Sequence, residues 1–238
     1  MADYKYNRVL LKLSGEAISG QGSIIDFDFL EKIAETLVKL SNDGVEIGVI
    51  IGAGNIWRGR SSGDMDRSTA DSMGMLGTII NALAAKDCVI RAGGKAEVMT
   101  STFMEPYARR YSADVARAAL AEGKIVFFAG GTGNPYFSTD TAGILRANEI
   151  NADVFLLAKN IDGIYDRDPK KDPNAVFFDE ISYGEMISRN LKGIDLAASA
   201  LGSEFGPDAF AFQLSDTEDI VKAVRGISRG TKITKEKI

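Results

Sequence analysis

The sequence predicts an α/β protein in which a mainly parallel sheet carries helices on both faces, a three-layer α/β/α sandwich. Two observations carry this. Short apolar runs rich in β-branched and aromatic residues alternate with longer segments of helical periodicity. Strand, helix, strand in succession implies right-handed crossovers and parallel neighbours. No internal repeat or low-complexity linker interrupts the 238 residues, so they read as one domain.

Arg8 to Ser14 reads as the first strand. Phe29 to Leu40 places Leu30, Ile33, Ala34, Leu37 and Val38 at helical spacing, with Gly44 as a stop. Val45 to Ile51 is a second, almost wholly apolar strand, and a long helix is expected over Thr69 to Arg91. Glu97 to Thr100 follows as a strand, then a helix capped by Ser112 and running through Glu122. Ile125 to Ala129 is a strand, Thr139 to Glu149 a helix and Asp153 to Ala158 a buried strand. Beyond Ile164 the order is less regular. Asp168-Pro169 and Asp172-Pro173 punctuate a loop. Short helices are expected over Tyr183 to Ser188, Asp195 to Leu201 and Thr217 to Val224, with a strand over Phe210 to Leu214.

Composition removes whole classes of chemistry. The chain has no histidine, which excludes Ser-His-Asp and Cys-His catalysis and His-ligated zinc. Its one cysteine, Cys88, excludes an intrachain disulfide and suits a reducing compartment. The net charge of -5 argues against a dedicated nucleic-acid binder. No uninterrupted apolar stretch reaches ~18 residues and the N-terminus is not a signal peptide, so a cytoplasmic protein without a membrane span is expected.

In a parallel sheet, ligands sit at the carboxyl ends of the strands. Three glycine-containing segments fall there: Lys12-Leu-Ser-Gly15, Gly52-Ala-Gly-Asn-Ile-Trp-Arg-Gly59, and Gly130 through Thr139. Glycine lets backbone N–H groups close around an anion, and a following helix adds its positive end. Any α/β protein needs turn glycines. Three such segments on one sheet edge, two of them with a cation (Lys12, Arg58), favour a phosphate site. The P-loop pattern is absent, the dinucleotide fingerprint fails at Trp57, and the protein-kinase His-Arg-Asp loop cannot exist without histidine.

At these residues the chain resembles the bacterial uridylate kinases, members of the amino-acid-kinase fold. The resemblance rests on Lys-Leu-Ser-Gly-Glu-Ala at Lys12 to Ala17, Gly-Ala-Gly-Asn-Ile-Trp-Arg-Gly at Gly52 to Gly59 and Asp-Ser-Met-Gly-Met-Leu at Asp71 to Leu76. It continues in Gly-Thr-Gly-Asn-Pro-Tyr-Phe-Ser-Thr-Asp at Gly131 to Asp140 and Asp-Gly-Ile-Tyr-Asp-Arg-Asp-Pro at Asp162 to Pro169, in order from Val9 to about Leu201. It implies transfer of the γ-phosphoryl of ATP to UMP with Mg²⁺, giving UDP and ADP, a step of pyrimidine nucleotide biosynthesis. It further implies an acceptor half over about 1–150, an ATP half over about 151–238, and a homohexamer.

Carried over by position, the catalytic residues are Lys12, Arg58, Asp140 and Asp195. Lys12, Leu13, Ser14, Gly15 and Gly54 match contacts to the ATP phosphates, Arg58 matches an ATP-binding residue standing between the two nucleotides, and Asn160, Tyr165 and Asp168 match the adenine and ribose side of ATP. Ala53, Asp71, Thr132, Gly133, Asn134, Pro135, Tyr136, Phe137, Ser138 and Thr139 match the UMP cradle, Asp71 at the ribose. Asp195 matches an acidic residue near the phosphates and the metal, and no set of protein ligands for the metal is implied. Ala53 stands where the family often has glycine. Relatives can bind GTP as an activator through basic residues after the Met-Gly-Met-Leu helix. Ile90 and Glu97 are poor phosphate ligands there, so weak GTP activation or none is expected, while UTP could inhibit from the acceptor cradle.

The chemistry suits a site without histidine. Phosphoryl transfer needs positioning and charge neutralisation more than a general base, because the acceptor phosphate is already a dianion. The competing readings are a kinase of the same fold acting on a carboxylate or carbamate, and a non-catalytic nucleotide-binding member. Residue by residue the bland alternatives are a sheet-rim Lys12, a loop ion pair for Arg58 with Asp64 or Asp66, and helix-end charges for Asp71 and Asp195.

Overall fold

A computed structural model describes residues 3–58 and 63–235. Gly59, the last residue of the second glycine motif, lies outside them.

The predicted alternation is present. Strands β1 (Arg8–Leu13), β2 (Glu46–Ile51), β3 (Ala96–Thr100), β4 (Arg109–Arg110), β5 (Ile125–Ala129) and β6 (Val154–Lys159) lead the order. Helices α1 (Phe27–Asn42), α2 (Arg67–Arg91), α3 (Ala113–Ala121) and α4 (Thr139–Glu149) are interleaved with them. A 3-10 turn covers Gly15–Ile18. The C-terminal part adds β7 (Ile164–Tyr165), β8 (Phe177–Phe178), β9 (Glu180–Ser182), α5 (Tyr183–Ser188), α6 (Leu196–Glu204), β10 (Ala209–Gln213), α7 (Glu218–Arg225) and β11 (Gly230–Thr234).

One nine-stranded sheet runs β4-β3-β5-β2-β1-β6-β10-β11-β9, and β7 and β8 form a separate hairpin. In the large sheet every neighbouring pair is parallel except β10 with β11. Side chains alternate across a strand, and that period sorts the core. Val9, Leu11 and Leu13 join the cluster under α1, α2 and α7. Leu10 points the other way, into the cluster with α3, α4, α5 and α6. Three layers follow directly.

Several expectations shift. Ser112 stands at the N-cap of α3, but its side chain makes no capping hydrogen bond. The strand expected at Phe210 begins one residue earlier, and β6 extends one residue further, to Lys159. Strands β4, β7, β8, β9 and β11 were not anticipated. Of these, β4, β7, β8 and β9 are two or three residues long, too short to show a period, and β11 holds its place between β10 and β9 by pairing alone. By length and composition α2 could cross a membrane. Its inner face, with Thr78 and Asn81 buried, packs into the core beside the sheet, which makes it the core helix of an α/β domain.

Candidate active site

Four neighbouring strands, β5, β2, β1 and β6, present their C-terminal ends side by side, and a cleft of about 850 Å³ opens there. The same alternation that sorts the core aims Lys12, two residues after Leu10, toward α4. It does the same for Lys159, two residues after Leu157. Lys12 Nζ lies 2.9 Å from Asp140 Oδ1 in the first turn of α4. Burial pushes the Lys159 ammonium below the ordinary lysine pKa; Asp140 opposes this and the charge of Lys12 reinforces it. Two cations and one carboxylate thus meet at the cleft floor.

The first loop is set by local bonding. Ser14 caps the 3-10 turn by accepting from the Ala17 N–H at 3.1 Å. Leu13 is buried in the core and its carbonyl accepts the Gly52 N–H at 2.9 Å, so its side chain does not face the cleft. A Cβ on the buried Gly15 would collide with the Asn55 side chain and the Gly52 carbonyl, which is why the two loops can touch only with glycine there. Arg58 pairs with Glu16, and both partners are well exposed.

The third loop needs left-handed backbone at Gly130, Gly131 and Gly133, and also at Tyr136. Gly130 donates its N–H to Thr78 Oγ1 at 2.9 Å and accepts from Ser101 Oγ at 2.6 Å, fixing the loop to α2 and β3. Thr132 and Asn134 bond to each other. Asp71, in the second turn of α2, accepts at Oδ2 from Arg67 Nε and from the Tyr136 N–H, each at 2.8 Å. Ser138 caps α4. Ala53, Gly54, Arg58, Asp71, Gly131, Asn134, Phe137, Ser138, Thr139, Asp140 and Asp195 all line the cleft with Lys12. Leu13, Ser14, Gly15, Thr132, Gly133, Pro135, Tyr136 and Asn160 do not.

Asp195 is the N-cap of α6, accepting from the Ala198 N–H at 2.9 Å. Its carboxylate also accepts from Ser138 Oγ and Thr141 Oγ1, tying α6 to the start of α4. A second cavity of about 470 Å³ holds Tyr165 and Asp168. Tyr165 donates to Asp162 Oδ1 at 2.8 Å, and that bond raises its pKa. The two cavities adjoin through Lys159 and residues 190–193. Sequence reading missed Lys159. Its signal was present: a lysine ending an apolar strand, as Lys12 does. The 190–193 segment gave none. Among the described residues no three His, Cys, Asp or Glu side chains converge as a metal site.

Residues 7–207 match the model of the amino acid kinase family. The chain belongs to the amino acid kinase family. Among solved structures, this kinase is 34% identical to the UMP kinase of Ureaplasma parvum, with a TM-score of 0.91, covering 97% of this chain and 100% of that one. It is also 34% identical to the UMP kinase of Bacillus anthracis, with a TM-score of 0.92 and coverage of 98% and 97%. The uridylate kinase of Archaeoglobus fulgidus is more distant, at 27% identity and a TM-score of 0.70 over 95% of this chain and 99% of that one.

Proposed function

We propose that this kinase is a UMP kinase, transferring the γ-phosphoryl of ATP to UMP and releasing UDP and ADP. The observation that carries the reading is the position of Lys12, Lys159 and Asp140. They stand where the cleft between the second and third loops meets the cavity that holds Tyr165 and Asp168. UMP occupies the first space, with Ala53, Asp71 and the stretch from Thr132 to Thr139 around it. The adenosine of ATP occupies the second, against Tyr165 and Asp168, with Asn160 beside it though in the lining of neither cavity, and the phosphates run over Ser14, Gly15 and Gly54. The acceptor half is then about 1–150 and the ATP half about 151–238.

Two polyanions must be brought together, so repulsion is the main barrier to positioning. Lys12 and Lys159 offset it at the transferring group, Arg58 adds charge from the cleft lining, and the glycine loops supply N–H donors. Asp140 holds Lys12 in place. Asp195 steadies the first turn of α4, which carries Asp140. The cleft offers hard oxygen donors at Asp140 and Asp195 without a closed cage. That fits a Mg²⁺ held mainly by ATP, with Asp140 and Asp195 as the protein carboxylates at hand. Bound there, Mg²⁺ would neutralise charge on the β and γ oxygens.

The protein is further proposed to work in the cytoplasm as a homo-oligomer, a hexamer in this reading, in pyrimidine nucleotide synthesis. ADP release measured with each of the four common nucleoside monophosphates, and with acetylglutamate, tests the reading. UMP-dependent release is expected. Turnover of acetylglutamate, or nucleotide binding with no turnover, would overturn it. In the same assay added GTP is expected to leave the rate nearly unchanged. Glu97, where an activator's phosphate would need a cation, already pairs with Arg109 and Lys124.

A further inference from the structure

The first and second loops must hold their relative position while two like-charged nucleotides press them apart. One pair of side chains outside the cleft lining sits at their junction. Asn81, fully buried on α2, donates from Nδ2 to Asn55 Oδ1 at 2.8 Å and to the Gly52 carbonyl at 2.8 Å. Asn55, in the second loop, returns a bond from Nδ2 to Asn81 Oδ1 at 3.0 Å and gives another to the Ile24 carbonyl at 2.8 Å. The two amides therefore face each other reciprocally; three of these bonds join the second loop to α2, and the fourth ties Asn55 to the segment before α1. On its other side the Asn55 amide packs on Gly15, close enough that a Cβ there would not fit.

A buried primary amide is costly unless its donors and acceptor are satisfied. Among the described residues, those of Asn81 are satisfied by the second loop alone. An apolar residue would fill the same volume without that demand, and an unpaired amide would be left behind if the loop moved. Such a pair tolerates little displacement. We infer that Asn55 and Asn81 are positioning residues that set the spacing between the first loop, which carries Ser14 and Gly15 under the ATP phosphates, and the second, which carries Ala53 beside UMP. They touch neither nucleotide. This rests on the UMP kinase reading, which the wild-type assay tests separately.

The test uses the full chain and a bisubstrate analogue in which uridine and adenosine are joined through a bridge of phosphates. That probe spans both loops and so reports their spacing. Asn55→Ala and Asn81→Ala are each expected to weaken analogue binding by about tenfold or more, which is ~1.4 kcal/mol. Binding of UMP alone and of ATP alone should stay within about threefold, and kcat should fall more than either KM changes. The double variant should be no worse than the worse single one, because both remove the same coupled pair. Asn55 is only half-buried, so Asn55→Ala keeps the test open should Asn81→Ala fail to fold. Analogue affinity unchanged in Asn55→Ala overturns the inference. So does a loss shared equally by the analogue and the separate nucleotides, or a loss in melting temperature alone.

Discussion

The fold resists the charge of Lys159. Burial lowers its pKa from the ordinary lysine value, Asp140 pulls it back up, and Lys12 lowers it again. Between the folded and unfolded pKa values the unfolded chain binds the extra proton. Stability from this group therefore rises with pH across that window and is lost as pH falls through the folded value. Activity runs the opposite way, because only the cation offsets phosphate charge. The alkaline limb of kcat/KM is therefore expected below the ~10.4 of a free lysine. Lys159→Arg, whose guanidinium stays charged, should move that limb upward; a limb that stays put would remove Lys159 from the transfer. A rate profile from about pH 7 to about pH 10 reads this. Asp71 makes a second residue-scale case. Both of its bonds end on Oδ2, leaving Oδ1 for a ribose hydroxyl. A charged acceptor deprived of its donor costs about 1–3 kcal/mol or more. UMP should therefore be preferred over dUMP by at least about tenfold. Asp71→Ala should raise KM for UMP, spare KM for ATP and shrink that preference, with Asp71→Asn between. If Asp71 only braces Arg67 and Tyr136, kcat/KM for the two substrates will keep its ratio while the melting temperature drops.

At the scale of elements, Asp195 joins α6 to α4. As an N-cap it contributes about 0.5–2 kcal/mol, and its removal also strands the hydroxyls of Ser138 and Thr141. Asp195→Ala is expected to lower both stability and kcat, because the first turn of α4 carries Asp140. Asp195→Asn keeps an acceptor for the cap and should retain more of both. Thermal melts set beside kcat decide the matter: a collapse of kcat with no change in melting temperature would return Asp195 to a direct role at the phosphates. The elements themselves were unequally legible. Strands such as β5 and helices such as α4 announce themselves because each is one uninterrupted periodic segment bounded by glycine or a cap, and both matched the expected bounds. The two-residue β7 and β8 carry no period, and β11 gains its place by pairing with β10 and β9. Such pairing is a long-range fact. The site divides likewise. Its glycine loops and Lys12 sit at visible strand ends, whereas the bonds of Asp195 to Ser138 and Thr141 exist only once α6 folds back on α4.

For the whole molecule, the open question is what covers the outside of α2. Its inner face is sealed against the sheet and α1, but Leu76 and Ile80 are each about half exposed, with Met73 beside them. The three follow at spacings of three and four, so they form one stripe on one side of the helix. Exposed apolar stripes on soluble folds mark contact surfaces, and a second copy of this chain is the occupant consistent with the proposed homo-oligomer. Replacing two large apolar side chains with carboxylates would place charges in a desolvated contact, which is costly without partners. The double variant Leu76→Asp, Ile80→Asp is therefore expected to reduce the molar mass by light scattering. Its circular dichroism should stay native, since neither residue is buried in the monomer. This chain by itself supplies a lined cleft, so UMP binding should survive dissociation within about threefold. A variant with undiminished mass would take the α2 stripe out of the assembly. One that dissociates and also loses UMP binding would show instead that the neighbouring subunit holds α2, and with it Asp71, in place.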